Sequence, residues 1–489
     1  MIYPSLSQAK ALSEGYDLVP VAYEMLADTH TPINLFLSMK ETESSCFLLE
    51  SVDNGEQWGR YSFIGMDSKA EIKIKDFVVT VKENNMKIQQ RIDNPIQYIT
   101  DYLNQYKSPK VENIPKLSGG LVGYFAYDTV RYMEKKLVNA PEDDLEMPDS
   151  HFMVCNEIIA FDHFRQRLLI IVNVPVNGDF DKNYSEATLR AGEIAQKIKM
   201  AVPKHKPKQT TGELSFSSNL TKEKFIENVE IAKEHIRKGD IFQVVLSQRF
   251  VAENAPDSFD VYRMLRATNP SPYLYYFKFS NYHIAGASPE MLVSVEDGTI
   301  STRPIAGTIK RGKTEKEDKE LENLLISDLK ERAEHTMLVD LGRNDVGKVS
   351  RFGSVEVTSF MQVEKYSQVM HLVSDVKGKL SEHKTGLDAL MAVLPAGTLS
   401  GAPKVRAMEI IDELENEKRG LYGGTVGYIS FDGDIDTCIA IRTVLFKDNK
   451  AYVQAGAGIV ADSVPEREFE ETENKAKAML KAIEEARGI

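Results

Sequence analysis

Gly307 is followed by four residues and then by Gly312, Lys313 and Thr314, which satisfies the pattern of a phosphate-binding loop. No other stretch bears so directly on the fold. A true loop of this kind follows a buried strand of a parallel sheet and opens a helix, and its backbone N–H groups converge on phosphate. A helix is predicted to follow, from about Glu317, but the strand side fits poorly. Residues 299–303 are polar where such a strand is an apolar run. Pro304 removes a backbone donor just before the turn. The four loop residues, Thr308, Ile309, Lys310 and Arg311, are bulky and doubly charged, and no apolar strand ending in a magnesium-binding Asp follows. The match reads as an accident, with a P-loop nucleotide-binding protein as the competing class. Gly456, Gly458 and Ala461 mimic a dinucleotide fingerprint, but they lie too near the C-terminus for the βαβ unit that motif requires.

With no parallel sheet imposed, hydrophobic periodicity decides the class. Residues 201–219 carry Pro203, Pro207, lysines and a Ser, Thr and Gly run, which reads as an exposed connection. It separates an N-terminal region, 1–200, from a C-terminal region, 220–489. Thr221 is placed to cap a helix in which Phe225, Ile226, Val229, Ala232 and Ile236 recur at helical spacing, with Gly239 ending it. Strands are predicted over 241–251, 273–279, 291–295, 427–431, 438–446 and 451–455, and long helices over 318–341 and 465–486. Hairpin-like strand pairs with helices between them predict an α+β fold of mainly antiparallel sheets flanked by helices.

Composition narrows the function. A net charge of −13 gives nucleic-acid binding little support. Cys46, Cys155 and Cys438 are far apart in sequence and cannot all pair, which suits a reducing cytosol. No basic start leads into an apolar run, and no stretch approaches the ~20 apolar residues of a membrane helix, so a cytoplasmic protein away from membranes is expected.

Several polar groups stand out of their surroundings. In the 318–341 helix, Leu321, Leu325, Leu329, Ala333 and Met337 form one apolar stripe, and Glu331, Glu334 and His335 cluster on roughly the opposite face. Glu468 and Glu471 share the three-residue spacing in the last helix. Two carboxylate pairs on separate helices could converge on a hard cation such as Mg²⁺. Equally, acids favour helix N-terminal turns, as Glu317 with Glu320 illustrates. Arg442 is the sole charge between Cys438 and Phe446, so it is either an internal ion-pair partner or a clamp on a substrate carboxylate. Small residues at Gly456, Ala457 and Gly458 let backbone N–H groups approach an oxyanion, and with Arg442 and Tyr422 they describe a carboxylate pocket. His371 lies in an apolar strand, where a lone histidine is more often structural. Thr398 sits in a Gly- and Ser-rich turn, and Glu290 heads an apolar strand.

Taken together, these segments resemble the chorismate-utilising enzymes. The matching stretches are 240–249, 287–290, 303–308, 331–345, 371–373, 395–406, 422–424, Arg442, 456–458 and 465–474. Residues 1–200 resemble the N-terminal region of the family's anthranilate-forming branch. Isochorismate-forming members carry a lysine where Gln243 stands, and aminodeoxychorismate-forming members carry one where Ala306 stands. This chain has neither, so the resemblance implies direct attack of ammonia on chorismate, loss of the C4 hydroxyl and elimination of pyruvate. Aminodeoxychorismate formation remains the alternative. The resemblance further implies Mg²⁺ held by Glu331, Glu334, Glu468 and Glu471. It places Glu290 as general acid, His371 near the elimination step and Thr398 beside the ring. Gly307 and Thr308 would line the ring, and Tyr422, Arg442, Gly456, Ala457 and Gly458 would bind the side-chain carboxylate. Glu50 and Ser51 resemble a tryptophan-feedback motif, with Pro272, Tyr273 and Leu274 as its other wall. No cysteine sits in a nucleophile context, so a glutamine amidotransferase subunit is the implied source of ammonia.

Overall fold

Every named strand pair is antiparallel, and pairing sorts the strands into two large sheets. A computed structural model describes residues 1–52, 59–66, 68–83, 86–202, 212–365 and 369–489. The first sheet runs in the order Ile2–Tyr3, Leu18–Leu26, Arg167–Pro175, Glu157–Asp162, Tyr61–Gly65, Cys46–Glu50, Tyr273–Lys278, Tyr282–Ser288, Thr443–Lys447, Lys450–Ile459, Gln243–Glu253 and Ser215–Ser218. The second runs Ile305–Lys310, Val369–Lys379, Thr299–Thr302, Met291–Glu296, Ile435–Ile439, Thr425–Ser430, Gly120–Phe125, Ser150–Cys155, Ala70–Lys75, Val78–Glu83 and Met86–Arg91. Both sheets take strands from either side of 201–219. That segment divides the sequence, and the hydrogen-bonded ladders run across the division. The two regions meet at Cys46–Glu50 beside Tyr273–Lys278 in the first sheet, and at Gly120–Phe125 beside Thr425–Ser430 in the second.

The sheets face each other across a core containing Phe47, Tyr124, Met153, Tyr275, Phe277 and Ile284, all buried. Each such side chain contributes roughly 1.5–3 kcal/mol by leaving water. Their outer faces are covered by helices. Phe180–Lys199, Ser258–Thr268 and Pro465–Glu485 pack on the first sheet through Ala191, Phe259, Leu265 and Ile483. Pro95–Leu103, Leu329–Gly347 and Gly386–Val393 pack on the second through Ile99, Val339, Val346 and Leu390. The result is the expected body of two antiparallel sheets flanked by helices.

Helix Lys222–Arg237 forms as predicted, with Thr221 Oγ1 accepting from the Lys224 N–H at 3.2 Å. Two other elements correct the sequence reading. The helix expected over 318–341 is two helices, Glu315–Ser327 and Leu329–Gly347, because Asp328 takes an extended conformation and its carboxylate caps the second. Leu325 is buried as expected, but in the second helix burial is reversed from expectation. Leu329 is 82% exposed, whereas His335, Leu338 and Val339 are buried, so the face bearing Glu331, Glu334 and His335 turns inward. The strand expected over 438–446 is likewise two strands. Ile435–Ile439 lies in the second sheet and Thr443–Lys447 in the first, and the chain crosses between sheets at 440–442. Arg442 makes that crossing at φ 51°, in the left-handed region. Cys438 and Arg442 therefore do not share a strand face.

The P-loop reading fails on the same evidence. Ile305–Lys310 is an antiparallel edge strand. The Gly312 N–H is taken by Asp318 Oδ1 at 2.6 Å and the Lys313 N–H by Glu317 Oε2 at 2.8 Å, so carboxylates fill the place a phosphate would need.

Candidate active site

The 440–442 crossing, the Lys450–Ile459 strand and the last helix place Arg442 and Glu471 on one cleft, while Glu290 and Thr398 line a second one. Strand Lys450–Ile459 pairs with Gln243–Glu253 along its whole upper length, Val245 opposite Gly458 and Ser247 opposite Gly456. On its other side the partner Thr443–Lys447 ends at Thr443, leaving that edge open beyond Val453. The Gly456 carbonyl accepts from Lys475 Nζ at 3.0 Å across this open edge. The Ser247 and Val245 N–H groups point the opposite way, to Glu415 and Ser400. By the alternation of an antiparallel ladder, the backbone N–H groups of both Gly456 and Gly458 face the open side. Ala457, between them, is fully buried in the cluster with Phe225 and Ile410. A Cβ at Gly456 would stand 2.7 Å from the Tyr422 hydroxyl, so the glycine is what lets that hydroxyl lie against the strand.

Arg442 borders the same edge. Its Nη1 donates to the Lys475 carbonyl at 3.2 Å, and among the described residues no carboxylate lies within ion-pair distance. Burial pushes its pKa down, with Tyr422 and Glu471 opposing. The internal ion pair that would make Arg442 merely structural is not formed. A non-glycine residue held in the left-handed region costs roughly 1–3 kcal/mol, and such residues concentrate at functional sites.

Glu290 follows strand Tyr282–Ser288, and its Oε1 accepts from Thr398 Oγ1 at 3.1 Å. Burial pushes Glu290 up to about 7, against the lowering effects of Thr398 and Lys475. A carboxyl so placed still holds its proton near neutrality. Its backbone is fixed as well, since the Ile439 N–H donates to the Glu290 carbonyl at 3.0 Å.

His371 lies opposite Thr308 across strands Val369–Lys379 and Ile305–Lys310. Its Nδ1 is 3.1 Å from the Gly307 carbonyl and 3.0 Å from Thr308 Oγ1. A carbonyl only accepts, so Nδ1 carries the proton and Nε2 is the basic nitrogen of the neutral ring. Burial pushes the His371 pKa down and keeps the ring neutral. Gly307 sits in a bulge at φ 69°, with its Cβ position 3.1 Å from Glu331 Oε2. This close approach brings the 305–308 segment against the glutamate helix.

The four glutamates come near each other without converging. Burial raises Glu331, Glu334 and Glu468, and the charge of Glu471 adds to each. Among the described residues, however, no three acidic, histidine or cysteine side chains form a ready ligand set. Glu471 instead pairs with Lys475 at 2.6 Å. Lys475 escaped the sequence reading although it stands one helical turn after Glu471, with its ammonium between Glu471 and the Gly456 carbonyl. A cleft of about 430 Å³ opens here, lined by Arg442, Arg467, Glu470, Glu471, Asn474 and Lys475.

The residues expected to form a tryptophan-feedback motif lie as a separate group at the seam of the two regions. Glu50 pairs with Leu274, and Leu274 with Ala287 on the strand leading to Glu290. The Glu50 carboxylate is already occupied by Tyr262 (2.6 Å), Arg266 (2.7 Å) and Ser62 (3.3 Å), so it shapes this wall. Ser51 Oγ accepts from the Gly59 N–H at 3.5 Å, and Pro272 is half-buried. Tyr273 donates to Asp436 at 2.9 Å, bridging to the second sheet.

Known proteins define the class. The profile of the chorismate binding enzymes matches residues 45–481, and the chain belongs to that family. Its relatives fix the branch. Anthranilate synthase component 1 of Acetivibrio thermocellus is 52% identical, with 99% of each chain covered. That of Aquifex aeolicus is 46% identical over 98% of this chain and 97% of its own. The crystal structure of anthranilate synthase component I from Streptococcus pneumoniae is 43% identical, covers 86% of this chain and 92% of its own, and superposes with a TM-score of 0.77. The menaquinone-specific isochorismate synthase of Escherichia coli, at 18% identity and a TM-score of 0.69 over 98% of this chain and 100% of its own, shares the fold. Within the family, the chain falls among the anthranilate synthase component 1 proteins.

Proposed function

We propose that this chain adds ammonia to C2 of chorismate, expels the C4 hydroxyl as water and eliminates pyruvate, leaving anthranilate for tryptophan biosynthesis. The observation that carries the reading is the half-buried Arg442 guanidinium, which among the described residues has no carboxylate within ion-pair distance and lies beside the Tyr422 hydroxyl and the open 456–458 edge. Planar guanidinium, hydroxyl and two backbone N–H groups suit the enolpyruvyl carboxylate. Glu290, protonated in about half of the molecules at pH 7, donates to the departing C4 hydroxyl, while Thr398 holds its other oxygen. His371 Nε2 takes the ring proton as pyruvate leaves. Gly307 and Thr308 line the ring. Ala306 offers only a methyl group and Gln243 an amide, so neither supplies the nucleophilic or base lysine of the sister reactions.

Glu331, Glu334, Glu468 and Glu471 fit a hard cation by donor chemistry, being all-oxygen ligands whose burial and mutual repulsion a divalent charge would relieve. Mg²⁺ bound there supplies a Lewis acid for the ring carboxylate. The three cysteines are buried, and burial pushes the Cys46 thiol up to about 12 and the other two higher still. None offers the thiolate that glutamine hydrolysis needs. A glutamine amidotransferase subunit in the cytosol then supplies the ammonia. Residues 1–200 carry the feedback wall, with tryptophan bound between Ser51 and the 272–274 segment, and 220–489 carry the chemistry.

The deciding experiment mixes the chain with chorismate, Mg²⁺ and ammonium at alkaline pH and identifies the product. Fluorescent anthranilate with stoichiometric pyruvate is expected, and glutamine should not replace ammonium. A product retaining the enolpyruvyl ether would assign the chain to aminodeoxychorismate formation instead.

A further inference from the structure

Arg419 is one of the most enclosed charges in the chain, and nothing in the proposed chemistry uses it. It is 4% exposed. Its Nε and Nη2 grip both oxygens of Glu415 at 2.8 and 2.7 Å. Internal pairing alone would need no more than that. The remaining donors reach two backbone carbonyls that belong to the site. Nη1 donates to the Leu399 carbonyl at 2.6 Å, in the short turn that carries Thr398. Nη2 donates to the Val245 carbonyl at 2.7 Å, and Val245 lies opposite Gly458. The guanidinium carbon also stands 4.8 Å from the Tyr127 ring centre and 5.6 Å from that of Tyr422. Glu415 extends the same frame, since its Oε1 accepts from both the N–H and the hydroxyl of Ser247, opposite Gly456.

One planar cation thus touches the Thr398 turn, the strand behind 456–458 and the ring of Tyr422. We propose that Arg419, held by Glu415, is a positioning residue for chorismate, fixing the Tyr422 hydroxyl and the Thr398 hydroxyl relative to each other across the cleft. The geometry requires arginine. A lysine ammonium is a point donor on a flexible stem and cannot reach Glu415, Leu399 and Val245 in one plane. Burying an isolated charge is costly, so evolution could have filled this volume with apolar side chains. The extra carbonyl bonds explain why a charge occupies it.

This inference rests on the reading that Tyr422 and Thr398 face chorismate, and the test separates the two. Arg419→Lys keeps the buried charge, and Tyr127→Leu removes one ring beside the guanidinium without touching the cleft. Each is made alone and in a Tyr422→Phe background, with folding checked by thermal unfolding. Arg419→Lys should raise KM for chorismate roughly tenfold or more, the scale of one lost charge-assisted hydrogen bond. It should also move the alkaline limb of kcat/KM to higher pH, because Glu290 loses a well-placed Thr398 donor. Tyr127→Leu should shift both in the same direction, by less. In the Tyr422→Phe background the KM effect of Arg419→Lys should shrink, since the group it positions is gone. If Tyr422→Phe alone leaves chorismate KM unchanged, the pocket reading fails. If Tyr422→Phe raises KM while folded Arg419→Lys keeps the parental KM and pH profile, or the two effects simply add, Arg419 is structural and this proposal is overturned.

Discussion

Arg442→Met distinguishes a substrate clamp from a structural ion pair by the sign of its effects. In the folded chain the guanidinium has one backbone carbonyl and, among the described residues, no carboxylate, and burial disfavours its charge. Removing it should leave stability unchanged or raise it, on the order of 1 kcal/mol. With chorismate bound, the same group makes charge-assisted hydrogen bonds worth roughly 1.5–3 kcal/mol each. Losing a bidentate pair should therefore weaken binding about a hundredfold or more. The assay is thermal unfolding with and without chorismate, in the absence of ammonium so that no amination occurs. At a chorismate concentration of about 100 Kd, the parent gains about 2.7 kcal/mol, whereas a variant with Kd raised a hundredfold gains about 0.4 kcal/mol. Unfolding entropy near 2.1 cal/mol/K per residue, over 489 residues, turns these into shifts of about 2.6 and 0.4 °C. Arg442→Lys, which keeps the charge without the fork, should lose about ten- to a hundredfold in kcat/KM. A lowered unliganded Tm in Arg442→Met, together with a full chorismate shift, would refute the argument.

Three further outcomes are expected. Glu290, raised to about 7, loses its proton as pH rises, so kcat/KM measured at constant free ammonia should fall about tenfold per unit above pH 7. Its raised folded-state pKa also means that the neutral form stabilises the fold at low pH and that this contribution is lost as pH rises through about 7. Glu290→Gln should then abolish the pH limb and most of the activity while raising Tm at pH 8 more than at pH 5; an intact limb would exclude Glu290 as the acid. Glu334→Gln and Glu471→Gln should each reduce turnover at least about a hundredfold at ordinary Mg²⁺ and remove any Mg²⁺-dependent rise in Tm, since an amide is the weaker ligand; parental Mg²⁺ response in both would mean the helices share no ion. Ser51→Phe should raise the tryptophan concentration for half-inhibition about tenfold or more, the scale of one lost contact, with chorismate kinetics preserved; unchanged inhibition would move the feedback site elsewhere.

Much of this arrangement could be read from residues, and the failures share a cause. Helix Lys222–Arg237 carried both its cap and its apolar period in the sequence, and the structure keeps them. The 318–341 helix broke because Asp328, a strong capping residue, sits inside an unbroken helical pattern. Local capping won over continued periodicity there, and the same break left Leu329 exposed while His335 turned inward. Residues 438–446 read as one strand because β-branched and apolar residues lie on both sides of Arg442. No glycine marks the crossing, and only tertiary pairing reveals that the flanks join different sheets. The candidate site residues came from family resemblance; the structure puts Arg442 and Glu471 on one cleft and Glu290 with Thr398 on another. Lys475 and Arg419 were missed for a different reason. Each sits among other charges in sequence, at a helix i+4 position and in a polar loop, where a solvated surface charge is the ordinary expectation. Their importance lies in backbone carbonyls brought to them by remote strands, which no local pattern records.

The mixed ladders also set the order in which the molecule can be made. During synthesis Glu50 emerges long before Leu274, and Phe125 long before Thr425, yet each pair must zip into one sheet. Until then Cys46–Glu50 and Gly120–Phe125, both largely apolar, each present an unsatisfied edge, a template for pairing with other chains. Pairing over such sequence separations is slow, because the connecting chain must be closed before any contact rewards it. A ribosome releasing only the first half would deliver a fragment lacking neighbours on two sides. Two halves produced as separate polypeptides should therefore be aggregation-prone alone and recover a folded enzyme only when synthesised together.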